Sequence, residues 1–109
     1  MTRMALIARL RAKPGRRDEL LDVLGEGLSA AEDEPGTLVY LMHADDADDD
    51  VVWFYELYTH AAAFEEHRTS ERMRGMKPLL GELLAGPVDL VKGHLVGGSV
   101  SAEMWAEPE

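Results

Sequence analysis

The chain has 109 residues, 46% of them hydrophobic, and 21 acidic against 11 basic side chains give it a formal net charge of -10. That length and composition imply one domain with a packed core rather than a disordered segment, and the acidic balance disfavours nucleic acid as a partner. No cysteine is present, which excludes disulfides, thiolate zinc sites, iron–sulfur clusters and a cysteine nucleophile.

Residues 3–12 alternate as a strand, with Leu6, Ala8 and Leu10 on one face and Ala5, Ile7, Arg9 and Arg11 on the other. The apolar start is too short for a secretory core or a membrane span, so a cytoplasmic protein with no membrane partner is expected. Pro14-Gly15 turns the chain, and the spacing of Leu20, Leu21, Leu24, Leu28 and Ala31 predicts a helix over 16–33. Gly25 and Gly27 weaken that helix by up to about 1 kcal/mol each relative to alanine, and offer it close approach to the sheet.

Pro35-Gly36 ends the helix, and Thr37 to His43 alternates as a second strand. The loop 44–50 carries Asp45, Asp46, Asp48, Asp49 and Asp50. It lacks the central glycine and distal glutamate of a calcium loop and reads as a solvated turn. Val51 to Tyr58 is an apolar run interrupted by Glu56, the pattern of a strand covered on both faces. Thr59 is placed to cap a helix from about Ala61, Ser70 a second piece, and Pro78 stands where a third would begin. The segment 60–85 is therefore predicted to be helical but broken. Gly86-Pro87 stops it, and Asp89 to Val96 forms the last strand. The domain spans 1–98, and 99–109 is a tail in which Met104 and Trp105 are candidates to dock on a partner subunit.

The order βαββαβ implies an α+β, ferredoxin-like antiparallel sheet with the helices on one face. Ala5, Ile7, Trp53, Tyr55 and Leu57 would then leave an apolar patch on the other, which predicts a homodimer packed sheet to sheet.

The most specific pattern runs from Glu34-Pro35-Gly36 to His67. Pro-Gly leads into the second strand, Phe54-Tyr55-Glu56-Leu57-Tyr58 forms the third, and Ala63 to His67 gives Ala-x-x-x-His on the next helix. Over residues 3–97 this order resembles the antibiotic biosynthesis monooxygenase (ABM) family of dimeric α/β barrels. The resemblance implies a pocket between the sheet and the second helix. It also implies oxidation of a small aromatic, polyketide-like or phenolic substrate by O₂ to a quinone, with no cofactor and no metal. Strand period two sets Phe54, Glu56 and Tyr58 on one face, and Phe64 and His67 lie one helical turn apart. On this reading His67 is the base or hydrogen-bond partner, Tyr58 the donor, and Phe54 and Phe64 the walls. His43 matches a recurring family position, and Glu56 is expected to pair with Arg72 or Arg68. Quinone-forming members carry Asn, Trp and Tyr where this chain has Phe54, Tyr58 and Phe64. The haem-degrading pattern is missing at Ala8, His67 and Lys77. The alternative is a relative that binds or isomerises a small carbonyl or phenolic metabolite without oxidation.

Overall fold

The computed structural model describes residues 2–105. Alternation in the first segment becomes strand β1 (Met4–Arg11), where Leu6, Ala8 and Leu10 are buried while Ile7 is 42% exposed. It pairs antiparallel with β3 (Val51–Tyr58) on one side and β4 (Asp89–His94) on the other. Strand β2 (Thr37–Ala44) pairs antiparallel with the far side of β3, so the sheet order is β2-β3-β1-β4. This is the ferredoxin-like arrangement expected from the element order.

Helices α1 (Arg17–Gly25) and α4 (Glu71–Leu83) cover one face, burying Leu20, Leu24 and Leu83 against Ala8, Leu10, Val52 and Phe54. Full burial of a side chain such as Leu20 stabilises the fold by about 1.5–3 kcal/mol. A second cluster joins Leu6 and Tyr58 to Ala63 and Phe64 of α3 (Ala61–Arg68). The core is thus split into two clusters on the helix-covered face, and a cavity opens between them.

Several local expectations change. The helix predicted over 16–33 breaks after Gly25 and resumes only as a short α2 (Leu28–Ala31). Gly27, which stands at the break, lies under the Arg72 guanidinium arriving from α4, where a Cβ would overlap it. Thr59 does not cap α3; its hydroxyl instead meets His60 Nδ1 at 2.8 Å, and His60 stands at the cap position without capping the helix through its side chain. Ser70 does cap α4, accepting a bond from the Met73 N–H. That helix then runs through Pro78 without a third start. It forgoes the bond that an N–H at Pro78 would give the Arg74 carbonyl, and Met76, Leu80 and Leu83 hold it to the core on either side.

The aspartate loop is ordered rather than merely solvated. Asp45 Oδ1 accepts the N–H groups of Ala47 and Asp48, and Arg17 Nη1 donates to the carbonyls of Asp45 and Asp48 at 2.8 and 3.1 Å. Strand β4 ends at His94, short of Val96, and 95–101 has no regular structure before a 3₁₀ turn at Ala102–Trp105. The expected docking of the Trp105 side chain lies outside the described residues. No helix among the described residues is long and apolar enough to cross a membrane.

The sheet's second face carries Ile7, Trp53 and Val91, the last 66% exposed, and none of the four α-helices packs there.

Candidate functional site

Strand register decides which side chains meet. Leu6 lies opposite Glu56, Ala8 opposite Phe54, and across the other edge of β3 Tyr40 faces Glu56 and Met42 faces Phe54. All of these share the helix-covered face. Helix α3 is drawn onto the same end of the sheet because Gly36 has no side chain: a Cβ there would overlap that of Ala63. This close approach carries Phe64 and His67 over the strands. The result is a cavity of about 200 Å³ whose walls include Tyr40, Phe54, Glu56, Phe64, His67 and Arg68, completed mainly by aliphatic side chains.

The aromatic wall is continuous. Ring centroids lie 4.8 Å apart for Tyr40 and Phe54, 5.1 Å for Tyr40 and His67, 5.7 Å for Tyr58 and His67, and 5.4 Å for Tyr58 and Phe64. These separations are typical of tilted and edge-to-face contacts. His67 is only 5% exposed, and its Nδ1 sits 2.8 Å from Glu34 Oε1. The Thr37 hydroxyl donates to the same Glu34 oxygen at 3.0 Å, and Arg72 Nη2 stands 4.0 Å from Oε2.

Glu56 is 4% exposed, and its partner is Tyr58, whose hydroxyl donates to Oε1. Neither expected arginine reaches it. Arg68 is an exposed helix-surface residue that pairs with Glu65 one turn earlier, at 2.7 Å. Arg72 passes over Gly27 toward Glu34. Burial pushes the Glu56 carboxyl above its ordinary value, and the Tyr58 bond, which pulls the other way, does not cancel it. Burial beside Glu56 likewise holds the Tyr40 and Tyr58 phenols well above the normal tyrosine range, so both remain O–H donors.

A raised folded-state value on a carboxyl gives stability that is full below the unfolded value and lost as pH climbs through the folded one. Glu56→Gln is therefore expected to remove a fall in stability that the native protein shows as pH rises from 4.5. Urea unfolding of both proteins at pH 4.5 and 8 checks this, and parallel profiles would count against it.

Of the residues anticipated for the site, Phe54, Glu56, Phe64 and His67 line the cavity together. Tyr58 is fully buried behind them, its hydroxyl committed to Glu56. His43 is on the opposite face of the sheet, stacked at 3.8 Å on Trp53 with Nδ1 3.2 Å from the Trp53 carbonyl. Arg72 borders a separate hollow of about 260 Å³ between α1 and α4, with Gly27, Gly75 and Met76. Glu34 and Tyr40 were not anticipated for the site: in the sequence Glu34 stands at the end of a helix and Tyr40 reads as core or interface, and only pairing register and the α3 crossing reveal their positions. Among the described residues no group of three or more histidine, aspartate and glutamate side chains is arranged to hold a metal ion.

Solved structures share this architecture along nearly the whole chain. A Nitrosomonas europaea protein of unknown function is 25% identical with a TM-score of 0.81, over 94% of this chain and 97% of that one. A Pseudomonas aeruginosa protein is 26% identical with a TM-score of 0.81, over 89% and 97% respectively. A Mycobacterium tuberculosis protein is 25% identical with a TM-score of 0.75, over 92% and 98%. No curated protein matches the chain. The sequence profile described as "antibiotic biosynthesis monooxygenase" matches residues 3–78, the segment that builds β1 to β3, α3 and the His67–Glu34 contact. The chain belongs to the antibiotic biosynthesis monooxygenase family.

Proposed function

We propose that the protein oxidises a small phenolic substrate with O₂ to a quinone, using no cofactor. The observation that carries this reading is an aromatic-walled cavity whose one imidazole, His67, is hydrogen-bonded at Nδ1 to Glu34. A base of that kind suits removal of a phenolic proton near neutral pH. The phenolate then passes an electron to O₂, and the two radicals combine at ring carbon. Loss of water leaves the quinone: one O₂ is consumed, one of its oxygens enters the product and the other departs as water. The mostly apolar lining lowers the polarity around the reacting pair, and the Glu56 carboxyl, pushed toward its protonated form by burial, can donate to a developing oxyanion.

The size of the cavity narrows the substrate. Benzene fits an apolar cavity of about 150 Å³, so the 200 Å³ here accepts one substituted ring, with any second ring toward the mouth. Two sheets packed face to face in a homodimer would cover Ile7 and Val91, both exposed in the single chain. A second reading, isomerisation of a small carbonyl compound, is favoured by one observation. Glu56 and His67 border one cavity, as an acid and a base would.

Oxygen uptake with a graded panel of phenols, naphthols and anthrones separates the two. The oxygenase reading predicts uptake that is fastest with the one- and two-ring phenols and slower with three-ring anthrones. Binding of the phenols without uptake would overturn it in favour of the second reading.

A further inference from the structure

We propose that Glu34 is the positioning residue for His67, fixing the neutral imidazole with its proton on Nδ1 so that Nε2 is the basic nitrogen offered to the cavity. The inference rests on the reading of His67 as the base, and it adds a residue that contributes nothing to the cavity wall itself. His67 Nδ1 and Glu34 Oε1 are 2.8 Å apart although the residues are 33 positions apart in the chain. A carboxylate only accepts, so a neutral ring at that distance must supply the N–H from Nδ1. Nε2 is then the acceptor, and the ring bond recorded for His67 among the described residues is the one at Nδ1, while His67 lines the cavity.

The Glu34 carboxylate also has Thr37 and Arg72 beside it. The Thr37 hydroxyl donates to Oε1, and the turn that precedes β2 is closed by a bond from the Thr37 N–H to the Glu34 carbonyl at 3.0 Å. Arg72 stands 4.0 Å from Oε2, and both of its terminal nitrogens are buried without a hydrogen-bond partner among the described residues. Among the described residues, Glu34 is the one carboxylate within 4.0 Å of that guanidinium. Arg72, Glu34 and His67 form one line from the hollow between α1 and α4 to the cavity. An orienting acid behind a histidine base acts by selecting its tautomer rather than by touching substrate.

Long-range ¹⁵N–¹H spectra of the His67 ring, recorded without substrate at a pH where the ring is neutral, test this directly in the native protein, Glu34→Gln and Glu34→Ala. The native ring is expected as the Nδ1–H form. Glu34→Gln keeps that form, because its amide oxygen still accepts, whereas Glu34→Ala mixes in the Nε2–H form. With a phenol that is turned over, Glu34→Ala should lower kcat by about tenfold or more with little change in KM, and Glu34→Gln should recover part of the loss. A native ring protonated on Nε2, or an Nδ1–H form undisturbed in Glu34→Ala, would overturn the proposal. The spectra need neither substrate nor oxygen, so failure of the oxygenase reading shows separately, as absence of uptake by the native protein.

Discussion

His67→Ala is expected to lower phenol-dependent oxygen uptake by about 10²-fold or more. A positioned base contributes about 10²–10⁴-fold to a proton-transfer step, and His67 is the cavity's imidazole. Because the side chain is buried and bonded to Glu34, its removal also destabilises the fold, by about 1–3 kcal/mol for the partner left behind. Arg72 and Thr37 still face Glu34 and keep that loss moderate. His67→Gln, which retains bulk and a hydrogen bond, separates the two effects: activity falls similarly while the unfolding midpoint recovers. Initial rates at equal folded concentration provide the check, and rates within threefold of the native protein in both variants would remove His67 from the chemistry.

Gly36→Ala is expected to cost about 1–3 kcal/mol of stability although it adds a single methyl group. The added methyl would overlap the Ala63 Cβ and come within 3.4 Å of the Thr59 hydroxyl. Ala63 has no flexible end to swing away, so α3 itself must shift. That shift would open the His67–Glu34 contact, and activity should fall with stability. Gly27→Ala is the control: it meets the tip of Arg72, a long side chain that can rotate. Chemical denaturation of the three proteins reads the difference. A Gly36→Ala variant within about 0.5 kcal/mol of native would show that the close approach is not needed.

The strands were legible from periodicity, and the family resemblance pointed to where Phe54, Glu56, Phe64 and His67 would meet. Period two in β3 sets Phe54 and Glu56 on one face, and helical spacing brings Phe64 and His67 to it. What was not legible depends on elements meeting. The packing of Arg72 over Gly27 joins two separate helices, so helical spacing carries no trace of it. His43 falls on the wrong face because β2 enters its pairing through an irregularity between Thr37 and Val39, which sets the parity of everything after it. Burial of Glu56 was visible as a carboxylate inside an apolar run. Its partner was not, since a tyrosine two residues away satisfies it without any arginine. Glu34 carried no signal beyond its place before Pro35-Gly36, and its link to His67 exists only once α3 has crossed over β2.

The most direct test of the account is the stoichiometry of oxygen uptake with a single-ring phenol, using protein verified to be free of flavin and metal. The account predicts one O₂ consumed per quinone formed, at a rate that depends on His67. Absence of uptake across such phenols, or uptake that proceeds equally in His67→Ala, would contradict it.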